Sequence, residues 1–175
     1  IGATGAIFDV LMAAGAPHDI RPVGYRALES LRLEKGYRAW GSDITPNDTP
    51  FEAGLGWAVK LRKNTDFLGR RALEQAQTAP RGKVLAGFTV DDPDVVLVGR
   101  ETILRNGEPV GYLTSGGYGY TVGKNIGYGY LRNADGVSDD FLTAGDYEIV
   151  IAMQRSPARI HLGPLVDPDM KKIKA

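Results

Sequence analysis

The chain has 175 residues, and its 21 basic and 21 acidic side chains give a formal net charge of zero, so the basic excess typical of a nucleic-acid-binding protein is missing. It contains no cysteine and only two histidines, which excludes disulfides and thiolate chemistry and argues against a metal site. No apolar run approaches the roughly 18 residues needed to span a bilayer. We therefore expect a protein that contacts neither nucleic acid nor membrane, in a reducing compartment such as the cytoplasm.

Helical periodicity is confined to the first 80 residues. Because the chain begins at Ile1 without a methionine and enters a helical pattern at once, we expect it to be a piece of a longer protein. Thr49, followed by Pro50 and Glu52, predicts a capping box. The run Trp57–Leu61 predicts a strand, with the tryptophan in the core. The periodicity predicts helices over residues 6–14, over the segment that ends at Gly36, and over residues 70–77.

After Pro80 the sequence shows only strand signals. Asn106-Gly107, between two alternating runs, is a strong indication of a tight hairpin. Closely spaced strands of this kind are typical of a barrel or a sandwich. The predicted strands cover residues 84–90, 101–104, 110–113, 125–131, 147–153 and 158–161. We expect an α+β protein with a boundary near residue 80.

The stretch TSGGYGYTVGKNIGYGYL, residues 114–131, raises the question of a phosphate-binding loop. The GxxxxGK[ST] pattern would place its first glycine at position 118, where this chain has Tyr118, so the pattern is not met. The flanking alternation instead predicts two barrel strands joined by a turn at Gly116-Gly117. Tyr128 and Tyr130 are predicted to share one face of the second strand. Lys124 is expected to be solvated, and His161 to be packed rather than catalytic.

Two segments carry a resemblance to a known family. SLRLEKGYRAWGSDITPNDTPFEAGLGWAVKL, followed by DFLGRRAL, resembles the aminomethyltransferase (glycine cleavage T-protein) superfamily, and the glycine-rich stretch resembles the same superfamily's C-terminal barrel hairpin. The form LEKGYRAWGSD is similar to the tetrahydrofolate-dependent C-terminal half of dimethylglycine oxidases and dehydrogenases and of sarcosine dehydrogenases. The resemblance covers about residues 6–164.

The resemblance implies a fold, an activity and partners. Residues 1–80 would be the tail of an α/β folate-binding domain, and residues 81–175 an antiparallel β-barrel. Tetrahydrofolate would capture a one-carbon unit from a methylated amine as 5,10-methylenetetrahydrofolate. FAD is expected only in an N-terminal part of the same protein that this chain lacks, and a eukaryotic protein would lie in the mitochondrial matrix. The family's catalytic carboxylates lie upstream, so no catalytic residue is assigned and the fragment alone is expected to be inactive.

Five residues are candidates for folate contact. Arg32 could face the carboxylates of the folate tail, or it could form an ion-pair network with Glu34 that locks the helix to the barrel. Tyr37 and Trp40 could flank a flat ring, although aromatic residues in an extended run more often close a core. Glycine-flanked tyrosines at a hairpin tip, here Tyr118 and Tyr120, favour contact with a ligand or a partner domain.

A departure from the family pattern affects one further residue. In glycine cleavage T-proteins an arginine stands at the place of Leu28, whereas here the arginine is Arg26, two residues earlier.

Two other functions stay open: a stand-alone aminomethyltransferase relative, or a non-catalytic interaction or scaffold barrel.

Overall fold

The computed structural model of the protein describes residues 2–174. The helices are α1 (Thr4–Gly15), α2 (Tyr25–Lys35), α3 (Arg70–Thr78) and α4 (Asp139–Thr143). The strands are β1 (Lys83–Val90), β2 (Thr102–Arg105), β3 (Glu108–Gly119), β4 (Lys124–Arg132), β5 (Tyr147–Ile151) and β6 (Gln154–His161). The helices predicted over residues 6–14 and 70–77 lie within α1 and α3. All six predicted strands are present, but the one predicted over residues 147–153 ends at Ile151, because Ala152 and Met153 have positive φ and form the turn into β6. Within residues 2–174, no helix is long and apolar enough to cross a membrane.

The six strands form a closed antiparallel barrel in the order β1-β4-β3-β2-β5-β6, with β6 pairing back onto β1. Apolar side chains from most of the strands fill its interior, and Phe88, Ile103 and Leu113 are fully buried there. The predicted hairpin between β2 and β3 is confirmed, since Asn106 and Gly107 both have positive φ angles, 52° and 85°. The predicted α+β class with an antiparallel barrel is therefore confirmed.

The second predicted turn lies in the wrong place. Gly116 and Gly117 are inside β3, and the chain reverses over residues 120–123, where Gly123 has a φ of 68°. A Cβ on Gly116 would lie 2.8 Å from the Cβ of Leu97, so this glycine is required for close packing rather than for a turn. Such a packing requirement comes from a distant part of the chain and leaves no local pattern.

Helix α2 packs against β3 and β4 through one apolar side chain, Leu33, which joins a second buried cluster with Tyr128 and Tyr130 on β4. The two tyrosines share a face as predicted. The capping box is confirmed, because Glu52 N–H donates to Thr49 Oγ1 at 3.2 Å and Thr49 N–H donates to Glu52 Oε2 at 2.9 Å.

The predicted strand over Trp57–Leu61 is wrong. The chain forms a single 3-10 turn at Gly56–Ala58, and Trp57 is 75% exposed rather than in the core. Glycines at positions 54 and 56 both precede the tryptophan, and the first of them has a positive φ, which favours a turn over an extended strand.

Candidate functional site

Helix α2 is flanked by two clefts. The larger, which we call the tail cleft, has a volume of about 740 Å³ and lies between the C-terminal end of α2, the loop over residues 36–57 and the segment 162–170. Its lining is mainly apolar and aromatic, with Tyr37, Ile44, Leu55, Trp57, Leu162, Pro164 and Met170 among its residues. Its two cations are already engaged, since Lys35 pairs with Asp167 and Arg38 donates to backbone carbonyls.

The second cleft, which we call the hairpin cleft, has a volume of about 470 Å³ and lies between α2 and the β3–β4 turn. It is lined by Arg26, Ala27, Ser30, Leu31, Glu34, Tyr120 and Thr121. Tyr120 is largely exposed and packs edge-on against Tyr118, with the ring centres 5.1 Å apart. Arg26 forms no ion pair within residues 2–174. This cleft therefore combines an accessible aromatic ring, a cation that has no ion-pair partner within residues 2–174, and the acidic side chain of Glu34.

A buried carboxylate, Asp43, joins α2, its following loop and the barrel. It is 1% exposed and accepts from Arg32 Nη1 at 2.7 Å, Ala39 N–H at 2.9 Å, Thr114 Oγ1 at 2.6 Å and Ser115 Oγ at 2.7 Å. With four donors, the carboxylate has its lone pairs satisfied as a buried charge requires. This role is not visible in the sequence, because the residue stands in a segment whose pattern is that of a turn.

A second buried carboxylate, Glu34, holds the β3–β4 turn. Its Oε1 accepts from the N–H groups of Thr121 and Val122 at 2.5 and 3.2 Å, and its Oε2 accepts from Thr121 Oγ1 at 2.7 Å. One turn earlier on α2, Ser30 Oγ donates to the carbonyl of Tyr118 at 2.6 Å. The same face of α2 thus fixes both the end of β3 and the turn that follows.

The C-terminal segment is tied to the C-terminal end of α2. The carbonyl of Glu34 accepts from the N–H groups of Leu165 and Val166 at 3.1 and 3.0 Å. Lys35 Nζ lies 3.0 Å from Asp167 Oδ2, with both side chains largely buried. These contacts hold the segment in place as one wall of the tail cleft.

The predicted site residues do not share one cleft. Arg32 is 13% exposed and bound to Glu29 and Asp43, as in the interpretation of a network that locks the helix to the barrel, although its partners are not Glu34. Tyr37 lies in the tail cleft and is half-exposed. Trp40 is 72% exposed on the surface. The expectation that these two aromatic residues close a core is therefore wrong within residues 2–174.

Burial shifts the pKa of several side chains on the barrel. Burial raises the pKa of Tyr128, whose hydroxyl has no hydrogen-bond partner within residues 2–174, and also that of Tyr130, whose hydroxyl donates to the carbonyl of Asp43. Burial, with nearby cations, lowers the pKa of His161, whose Nε2 lies 2.9 Å from Thr89 Oγ1. His161 is thus packed as predicted.

Metal chemistry finds no support in the described part of the chain. No group of three or more histidine, aspartate or glutamate side chains there could hold a metal ion. Lys124 lies at the surface with its side chain 40% exposed, and its Nζ forms an ion pair with Asp91 Oδ1 at 2.6 Å.

Comparisons with known proteins agree with this architecture. A family model described as the GCVT N-terminal domain matches residues 2–63, and one described as the glycine cleavage T-protein C-terminal barrel domain matches residues 83–167. The mitochondrial sarcosine dehydrogenase of Mus musculus is 42% identical over 96% of this chain and 18% of its own length. The mitochondrial pyruvate dehydrogenase phosphatase regulatory subunit of the same organism is 39% identical over 91% of this chain and 19% of its own length.

A solved structure extends the likeness to three dimensions. The crystal structure of the glycine cleavage system aminomethyltransferase T from Bartonella henselae matches with a TM-score of 0.75 and 29% identity, over 95% of this chain and 45% of that one. This chain therefore spans less than a fifth of the two mammalian relatives and under half of the bacterial protein. Since the helical segment and the barrel each match their own domain of one family, in the same order, the chain belongs to the glycine cleavage T-protein (aminomethyltransferase) family.

Proposed function

We propose that this chain is the tetrahydrofolate-dependent one-carbon transfer module of a protein like sarcosine or dimethylglycine dehydrogenase, which forms 5,10-methylenetetrahydrofolate from the methyl group of an N-methylated amine. The observation that carries the proposal is the 42% identity to a sarcosine dehydrogenase over nearly the whole chain. We further propose that residues 1–80 belong to the folate-binding domain and residues 81–175 to the barrel domain.

The residues of the hairpin cleft fit such a cofactor. The exposed ring of Tyr120, steadied by Tyr118, offers a face to a flat aromatic system. Arg26, which has no carboxylate partner within residues 2–174, is the cation suited to a carboxylate of the folate tail. When bound, tetrahydrofolate supplies the nucleophilic nitrogens that take up the one-carbon unit. The residues of this chain bind and orient it, and orientation alone can lower a barrier by about 7 kcal/mol.

The other sequence candidates have different places in this proposal. Arg32 Nε pairs with Glu29, and Arg32 Nη1 pairs with Asp43 on the loop after α2. We therefore propose that Arg32 supports the site by fixing that loop. Tyr37 and Trp40 stand on that loop and are exposed. We propose that they meet the ligand, or the polypeptide around it, from the opposite side of α2.

We also propose that the preceding part of the same protein covers α1 and completes the folate site. Helix α1 has no buried residue, and four of its apolar side chains, Ile7, Phe8, Val10 and Leu11, are more than half exposed. A helix that is apolar on all sides is normally buried. FAD would be bound in that preceding part, and the protein would act in the mitochondrial matrix or in the cytoplasm.

The experiment is a calorimetric titration of the intact protein with 5-formyltetrahydrofolate, a stable folate analogue. We expect binding in the wild type and a five- to tenfold weaker affinity, about 1 kcal/mol, in Arg26→Ala, since that change removes an exposed charge-assisted contact. Arg21→Ala is the matched control, because Arg21 is an exposed arginine paired with Asp19. Absence of heat at high micromolar ligand would refute the proposal.

A second candidate function is non-catalytic interaction. It is favoured by the likeness to a protein named as a regulatory subunit, which is 39% identical to this chain. In that case the exposed aromatic residues of the tail cleft would contact a partner protein rather than a folate. The two functions separate in the same titration: a scaffold gives no folate heat, whereas a transfer module binds the analogue.

A further inference from the structure

We propose that Glu34 is a positioning residue that fixes the β3–β4 turn against the hairpin cleft, so that the ring of Tyr120 is held at the cleft in which folate would bind. This inference rests on the proposed function. It assigns a role to a buried acidic group that would otherwise be only a cost, because burying a charge is unfavourable unless it is paired or fully hydrogen-bonded.

The contacts of Glu34 are concentrated on the turn. Both N–H groups that bind its Oε1, those of Thr121 and Val122, point from the turn towards α2 instead of across the hairpin. Within the turn, Gly123 N–H donates to the carbonyl of Gly119 at 2.8 Å. Three of the donors that hold this turn thus depend on one carboxylate, which is 2% exposed.

The fit around this carboxylate is close. A Cβ on Gly119 would lie 3.0 Å from Glu34 Oε1 and 2.4 Å from the Cδ1 of Ile126, so the chain passes directly beside the acid only because that position is a glycine. Tyr120 follows immediately and is largely exposed. Its place over the cleft is therefore set by the turn that Glu34 holds.

The role is one of positioning rather than of proton transfer. Both oxygens of Glu34 already accept from donors of the turn, so the carboxylate is engaged in holding the turn. The backbone carbonyl of the same residue holds the C-terminal segment through Leu165 and Val166. A change of the side chain removes the first set of contacts and leaves the second, so the two can be tested separately.

The experiment compares Glu34→Ala with Glu34→Gln in the full-length protein. A glutamine oxygen can accept from the two N–H groups while its amide donates to Thr121 Oγ1, so Glu34→Gln should keep folate KM within about twofold. In Glu34→Ala, we expect folate KM to rise about tenfold, with little change in kcat, because a displaced ring weakens binding more than chemistry. Glu74→Ala, which removes an exposed acid on α3 paired with Arg70, is the control.

Hydrogen exchange of the Thr121 and Val122 amides, measured without folate, gives a readout that does not depend on binding. We expect these amides to lose protection about tenfold or more in Glu34→Ala and to keep it in Glu34→Gln. A wild-type protein that binds no folate would overturn the proposed function. Folate binding with unchanged KM in Glu34→Ala, or a Glu34→Gln variant as impaired as Glu34→Ala, would overturn the positioning role alone.

Discussion

Replacement of Asp43 should separate the energetic weight of the buried network from that of ordinary surface ion pairs. The Asp43 carboxylate accepts from four donors, contributed by Arg32, Ala39, Thr114 and Ser115, and is 1% exposed. Alanine at this position would remove this acceptor from all four donors in an enclosed space, and of these Thr114 Oγ1 can still donate to the carbonyl of Tyr128 at 3.1 Å. The guanidinium of Arg32, which is 13% exposed, would retain Glu29 as its ion-pair partner, together with hydrogen bonds to the carbonyl of Tyr37 and to Ser115 Oγ.

The expected cost can be worked out from these contacts. Removing one partner of a buried ion pair costs about 3–5 kcal/mol, because the remaining charge stays desolvated. Asparagine should cost less. Its oxygen can accept from Arg32 and Ala39, and its amide can donate to the hydroxyl groups of Thr114 and Ser115, which are able to accept. Only the charge is then lost, which amounts to about 1–2 kcal/mol for charge-assisted bonds that become neutral.

The measurement is equilibrium unfolding of this chain in urea, followed by circular dichroism, for the wild type, Asp43→Ala and Asp43→Asn. The control is Asp19→Ala, which removes the same charge from an ion pair with Arg21. The two side chains of that pair are 80% and 78% exposed. We expect no measurable change in the free energy of unfolding there, because exposed ion pairs contribute little. Equal losses for Asp43→Ala and Asp19→Ala would refute the reasoning, as would an asparagine variant as unstable as the alanine one.

Two further predictions concern the barrel. Tyr128→Phe should leave the free energy of unfolding unchanged or raise it, since the hydroxyl is buried without a hydrogen-bond partner within residues 2–174. Tyr130→Phe removes a hydrogen bond and should lower the free energy of unfolding by about 1 kcal/mol. The urea midpoints of the two variants test this, and a larger loss for Tyr128→Phe would contradict it. Burial and nearby cations lower the pKa of His161 below its usual 6.5, so the stability contributed by its neutral form is present above that pH and lost as the pH falls towards the folded-state pKa. The decline of unfolding free energy on acidification below about pH 6.5 should flatten in His161→Gln and persist in His18→Gln, and an unchanged profile in His161→Gln would count against it.

The sequence predicted those parts of the fold whose cause is local. Asn106-Gly107 marks a hairpin because both residues must adopt positive φ, a requirement that a two-residue pattern can express. Gly116 and Gly117 look similar in sequence but lie within a strand, where the space they leave is filled by Leu97 and Leu33. Their cause is a contact with distant residues, so the sequence pattern alone placed the turn wrongly.

The difference between local patterns and contacts with distant residues also explains which parts of the candidate site the sequence predicts. The segment LRLEKG predicted a helix and an ion-pair network, and Arg32 does lie in one. Its partner Asp43 could not be recognised, since nothing in a turn sequence indicates that one carboxylate will be enclosed by a helix and a barrel strand. The prediction that Trp57 lies in the core follows from the usual burial of aromatic residues. Its exposure instead depends on which part of the fold packs over its loop, and the sequence pattern does not specify that contact.

The attachment of α2 to the barrel is mainly polar, and this bears on what the barrel contributes. The buried residues of α2 are Ser30, Leu33 and Glu34, so a single apolar side chain anchors the helix. Buried ionic groups are weak sources of stability compared with apolar side chains of similar size, but each bond requires one relative position of its partners. An apolar replacement of these groups could keep the helix on the barrel while allowing it to shift along β3. We therefore infer that the buried acids of α2 and its loop fix where the helix stands, and with it the shape of both clefts.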